Sequence, residues 1–236
     1  MYERLLRQPY FQGMSKDNIT AILDKVKLEF KRFKTGEVIA RQSSPCNDIT
    51  MLINGTVVAS RTPQNGCYTF FEEIEAPFAF EPNSLFGLKA CYKNTYHAKE
   101  ECDILVINKS YIFTEFARHE IFLMNILNLT SQRTQQKEKH IWKDRSMNIP
   151  EKIADFFASR SELPDGRKAL KIKMEDMAAI LGETRINISR ALNELQTRGA
   201  VELKRKEIIV PSLKKLIAEA ENIGTEKPAK QPAEQI

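Results

Sequence analysis

The chain has 236 residues, 42% hydrophobic and 28% charged, with a formal net charge of +5. That length suits two modest domains, and the mix is ordinary for a globular protein in water. No apolar run approaches the roughly 20 residues that span a bilayer, and the opening MYERLLRQPYFQGM lacks an apolar stretch of signal-peptide length, so the expectation is a cytoplasmic protein with no membrane partner.

Charge is balanced within each half. Residues 1–109 carry 14 basic and 13 acidic side chains, and residues 148–223 carry 14 and 12. Any affinity for nucleic acid must therefore come from local clusters. The cysteines are Cys46, Cys67, Cys91 and Cys102, and none forms a C-x-x-C pair. They read as reduced thiols, and no metal site is expected.

In chain order, residues 1–25 read as helical. Ile19, Ile22, Leu23 and Val26 have amphipathic spacing, and Ser15 is placed to cap them. From Phe30 to Ile107, short β-prone runs (EVIA, ITMLI, TVVAS, CYTFFEEI, CDILVI) alternate with turn signals such as Asn54-Gly55 and Asn65-Gly66. Strands at about ten-residue intervals predict an antiparallel roll or barrel. Residues 110–145 contain neither glycine nor proline and read as one long helix. Its apolar residues cover more than one stripe, enough to meet both the roll and a second copy. Asn148-Ile149-Pro150 is a candidate hinge, with Pro150 in the first turn of a further helix, PEKIADFFASR. The last residues, GTEKPAKQPAEQI, lack a core pattern and read as disordered.

The most informative segment is KMEDMAAILGETRINISRALNELQTRGAVELKRKEIIV, residues 173–210. It reads as helix, glycine turn, second helix and a basic hairpin, a winged helix-turn-helix. On a helix over residues 185–198, Ile188, Ala191, Leu192 and Leu195 share the inner face. Ile186, Ser189, Arg190, Asn193 and Thr197 lie opposite, with Arg185 at the leading edge. Arginine pairs bidentately with guanine O6 and N7 in the major groove. Thr184 is a good N-cap, and that helix terminus suits a phosphate. Lys173 and the hairpin tip Lys204-Arg205-Lys206 are placed to meet phosphates. The partner implied is double-stranded DNA.

With these residues in view, the chain resembles the CRP/FNR family of bacterial transcription regulators over nearly all of residues 10–215. FKTGEVIA and ITMLINGTVVAS look like the opening strands of the family's cyclic-nucleotide-binding-type roll, and residues 174–210 look like its helix-turn-helix and wing. The resemblance implies an α+β molecule. Its parts would be a sensor roll (1–109), a long dimerisation helix and hinge (110–147), a winged helix-turn-helix (148–223) and a disordered tail (224–236). It implies a homodimer on a near-palindromic operator, half-sites about one helical turn apart, with RNA polymerase as a further partner. A small effector in the roll would shift the DNA-binding pair. Many members have Glu after the first recognition arginine. Here Ile186 stands there, and isoleucine favours a thymine methyl over cytosine N4.

A candidate effector pocket comprises Phe80, Glu81, Tyr92 and Tyr96, whose aromatic rings read equally as ordinary roll core. Glu81 falls where cyclic-nucleotide binders hold the ribose. The preceding glycine is Phe80, Tyr92 lies near the expected phosphate-binding arginine, and no arginine occurs between Arg61 and Arg118. A lysine lacks the planar fork, so cyclic AMP is not expected. No cofactor is predicted. The oxygen-sensing branch's N-terminal cysteine cluster is absent, while haem stays open through His97, His119 or His140. An enzyme on a cupin-like roll would need two or three histidines converging on a metal, and no catalytic residue is expected. The alternative is an effector-binding or protein-interaction module whose winged helix does not read DNA specifically.

Overall fold

The computed structural model describes residues 2–141 and 147–225. The chain divides into two compact units, Met1–Lys143 and Asp144–Ile236.

The first unit opens with α1 (Tyr2–Leu6) and α2 (Lys16–Leu23). Ser15 caps α2, its hydroxyl accepting from the Asn18 amide. The expected continuous helicity over 1–25 is interrupted. Pro9 removes an amide donor and biases Gln8 away from helix, and residues 7–13 form turns instead. Those turns deliver side chains to the core. Tyr10 stacks on Phe122 at 5.9 Å, Phe11 meets Phe116 at 6.1 Å, and Gln8 Nε2 donates to the Leu52 carbonyl.

Eight strands follow: β1 (Glu29–Phe33), β2 (Val38–Ala40), β3 (Asp48–Asn54), β4 (Thr56–Arg61), β5 (Tyr68–Glu75), β6 (Phe78–Ala79), β7 (Thr95–Ala98) and β8 (Cys102–Asn108). They pair antiparallel in the orders β1-β8-β3-β6 and β2-β7-β4-β5. Buried residues alternate with partly exposed ones along β4 and β5, as half-buried strands require. Ile49, Met51, Leu52, Val57, Phe70, Ile74, Ile104 and Leu105 form the core. Gly55 joins β3 to β4 at φ +94°. A Cβ there would lie 2.6 Å from the Glu101 carbonyl oxygen, so the hairpin admits only glycine without backbone movement.

The single helix expected over 110–145 is broken. A short α3 (Tyr111–Thr114) and a 3-10 turn (Phe116–Arg118) precede α4 (Glu120–Ile141), and His119 between them is extended. On one straight helix Phe116 and Phe122 would point about 120° apart. The break lets both reach one core, where their rings stack at 4.2 Å. Asn125 Nδ2 then ties α4 to the carbonyls of Tyr10 and Gln12. Residues 142–146, including Trp142, lie outside the described residues.

The second unit contains α5 (Ile149–Arg160), β9 (Lys168–Ile172), α6 (Met174–Leu181), α7 (Arg185–Thr197), β10 (Glu202–Lys204), β11 (Glu207–Val210) and α8 (Leu213–Thr225). Asn148 begins α5 with a reciprocal capping box to Glu151, and Pro150 sits in its first turn. β10, β11 and β9 pair antiparallel in that order, so the wing hairpin is one edge of a three-stranded sheet. α8 was not anticipated. It buries Leu213, Leu216 and Ala220, and Glu219 pairs with Arg198 at 3.6 Å. Residues 224 and 225, read as tail, belong to α8; residues 226–236 lie outside the described residues.

Candidate DNA-reading face and effector pocket

The turn between α6 and α7 is made by Gly182 at φ +65°, a left-handed helix end that glycine adopts without strain. The Glu183 amide closes it by donating to the Ala178 carbonyl at 2.9 Å. Lys152 Nζ holds the Glu183 carboxylate at 2.5 Å, fixing the turn against α5. Thr184 caps α7, its Oγ1 accepting from the Asn187 amide at 3.2 Å.

Ile188, Ala191, Leu192 and Leu195 are buried on the inner face of α7. Arg185, Ile186, Ser189, Arg190 and Asn193 line one surface concavity on the outer face. Ile186 is 71% exposed. Lys173 is the exposed N-cap residue of α6, without a side-chain capping bond. Lys204, Arg205 and Lys206 are exposed at the wing turn, where Lys206 takes φ +60°, and its carbonyl accepts from the Ile172 amide. The inner residues expected of α6 divide: Met177 and Ala178 are buried, whereas Ile180 is 39% exposed and Leu181 is half-buried.

One charged partner was missed. Arg185 Nη1 lies 3.5 Å from Glu175 Oε1 in the first turn of α6. The sequence shows two acids there, Glu175 and Asp176, but nothing local says that either reaches another helix.

In the roll, Phe80, Glu81, Tyr92 and Tyr96 do come together, and they are packed. Phe80 and Tyr96 are 1% and 0% exposed, edge to face at 4.7 Å. Tyr92 OH shares a hydrogen bond with Thr50 Oγ1 at 3.0 Å. Glu81, 1% exposed and at φ +35°, accepts from Ser84 Oγ, the Lys93 and Asn94 amides, Asn94 Nδ2 and Tyr96 OH at 2.7–3.2 Å. Five donors thus meet the roughly four lone-pair sites of a carboxylate. Burial pushes the Tyr92 and Tyr96 hydroxyls well above their ordinary range, and the Cys46 thiol to about 11. A ribose hydroxyl would have to displace these internal donors, and no guanidinium comes from the Tyr92 position.

The nearby guanidinium comes from α4. Arg133, 8% exposed, lies over the Phe78 ring at 5.3 Å. One turn further on, Lys137 is pushed down to about 8, first by burial, then by Lys93, Arg61 and Arg133. Reading in chain order could not bring residues 133 and 137 to the roll. His97 lies on β7 and His119 at the break before α4; the His140 side chain lies outside the described part of the structure. Among the described residues, no group of three or more His, Cys, Asp and Glu is placed to hold a metal ion, and no helix is long and apolar enough to cross a membrane.

Comparison with known proteins follows the same division. Residues 30–119 match the cyclic nucleotide-binding domain family, and residues 151–219 match the Crp-like helix-turn-helix domain family. The chain is 24% identical over 200 residues to a global nitrogen regulator of Synechococcus elongatus, covering 79% of this chain and 87% of that one. Similar solved structures include the catabolite activator protein of Thermus thermophilus (16% identity, 90% of this chain, 100% of that one, TM-score 0.48). Another is the c-di-GMP responsive global regulator CLP of Xanthomonas campestris (14% identity, 84% and 100%, TM-score 0.48). The two domain families and their order carry the assignment: the chain is a transcription regulator of the CRP/FNR family.

Proposed function

We propose that the protein is a sequence-specific DNA-binding regulator that acts as a homodimer on a near-palindromic operator, and that cyclic AMP is not its signal. The outer face of α7 carries the reading. Its concavity combines two arginines, a serine, an asparagine and an exposed isoleucine, the mixture that reads base edges in a major groove. Lys173, Thr184 and the wing residues Lys204, Arg205 and Lys206 contact phosphates and set the register. Arg190 and Arg185 read guanine, and Ile186 takes a thymine methyl, so the operator differs from sites read by a glutamate at that position.

Pairing of two copies is supported by α4. Ile121, Met124 and Leu127 are 40%, 55% and 60% exposed at three-residue spacing, an apolar stripe that a second copy of the helix would cover. Against cyclic AMP stand the internally satisfied Glu81 and the tyrosine at the phosphate position. A different small effector acting through the roll, and RNA polymerase as partner of the DNA-bound dimer, complete the proposal. No cofactor and no catalytic step are part of it.

The test is selection from a randomised duplex pool with the full chain, without added nucleotide. The expected result is an enriched near-palindrome with half-sites about 10 base pairs apart centre to centre, bound with a steep salt dependence. No enriched site, or one that appears only with cyclic AMP, overturns it.

A further inference from the structure

We infer that Glu175 is a positioning residue for base reading: it holds the Arg185 guanidinium by one edge and so directs the rest of the fork to a guanine. The inference rests on the DNA-reading face proposed above and adds a residue to it.

The pair joins the two helices of the motif. Glu175 lies in the first turn of α6, Arg185 opens α7, and both side chains are 68% exposed. Such exposure decides what the contact can do. An exposed ion pair contributes little to stability, too little to matter to a fold built on Ile188, Leu192 and Leu195. It is enough to bias where a long side chain sits. Arginine carries five N–H donors in a rigid fork. With Nη1 turned to Glu175 Oε1 at 3.5 Å, other donors of the fork stay available for guanine O6 and N7.

The sign of the charge points the same way. The first helix of a helix-turn-helix crosses the sugar–phosphate backbone, and Glu175 at its N-terminal end places a negative charge beside phosphates. That repulsion weakens binding to every duplex alike. Competition for Arg185 also discourages this arginine from settling on a phosphate. Glu175 therefore lowers non-specific affinity and raises the preference for the right base. A merely structural acid would complement the α6 dipole and do neither.

The experiment compares full-length wild type, Glu175→Gln, Arg185→Ala and the double variant by fluorescence anisotropy. The duplexes are the selected operator, the operator with the Arg185-dependent guanine replaced, and a random duplex. Thermal melting of each variant confirms folding. Glu175→Gln is expected to bind the random duplex more tightly and to lose up to about fivefold in discrimination at that guanine, the factor equivalent to about 1 kcal/mol. In the Arg185→Ala background the same substitution should leave discrimination at that position unchanged. Discrimination that is unchanged or increased in Glu175→Gln, or an equal loss without Arg185, overturns the inference. If wild type selects an operator and Glu175 proves indifferent, only this inference fails. If wild type prefers no duplex, the DNA-reading proposal itself fails and takes this one with it.

Discussion

Asn94 donates to Glu81 Oε1 twice, from its backbone amide and from its side-chain amide, each at 2.9 Å. Glu81 is held from a loop that also contributes the Lys93 amide, so the acid organises the roll from within. Glu81→Gln sets a donor amide among donors. The expected cost is about 1–3 kcal/mol of unfolding free energy, measured by urea denaturation, with no cyclic AMP binding by calorimetry in either protein. Unchanged stability, or micromolar cyclic AMP affinity in wild type, contradicts this account of the pocket.

The exposed stripe on α4 leads to a prediction about assembly. Met124→Glu with Leu127→Glu places charges where a partner helix would pack, without touching the buried Phe116 and Phe122. Sedimentation should show a dimer for wild type and a monomer for the double variant, with circular dichroism unchanged. The monomer should bind a full operator at least tenfold more weakly, because linked half-sites gain 10²–10⁴ by avidity. A variant that remains dimeric places the interface elsewhere.

Lys137 gives a pH signature. Its ammonium is pushed down to about 8 by burial and by Lys93, Arg61 and Arg133, against a smaller upward pull from Glu81. Below pH 8 both folded and unfolded chains carry the charge, and its cost to folding is fully present. Between pH 8 and the ordinary lysine value the folded chain sheds the proton first, so this contribution to stability rises with pH. Lys137→Met should raise the unfolding midpoint at pH 7, and the gain should shrink by pH 10. An equal gain at both pH values would mean that hydrophobic contact, not charge, is responsible.

Cys46 is fully buried and its thiol is raised to about 11. In the native protein at pH 8, iodoacetamide should label the half-exposed Cys67 and Cys91 well before Cys46, and Cys46 should react only on unfolding. Early labelling of Cys46, read by peptide mass mapping, would show that the roll opens at that site.

What could be read from the chain alone follows the range of the interactions. The inner and outer faces of α7 were legible because Ile188, Ala191, Leu192 and Leu195 repeat with the helix period, and Gly182 and Thr184 mark its start by local chemistry. The break before α4 was not, because residues 110–118 contain neither glycine nor proline. The cause is a demand of the core, where Phe116 stacks on Phe122 and Phe11 packs tilted against both. β9 escaped for a related reason: KALKI is buried at four of its five positions and shows no alternation. Glu175 and Arg133 are ordinary charged residues in sequence. Only the packing of α6 on α7, and of α4 on the roll, gives them partners. α8 is the exception, since Leu213, Leu216 and Ala220 already have helical spacing.

In the proposed function α7 reads bases, with Arg190 on its outer face and the dimer supplying two such helices. The most direct test is the affinity ratio between the selected operator and random duplex for wild type and for Arg190→Ala, at one fixed salt concentration. A ratio of about 10³ or more is expected for wild type, falling by at least tenfold in Arg190→Ala while melting temperature and dimer mass stay the same. A ratio near one for wild type, or no change on removing Arg190, would contradict it.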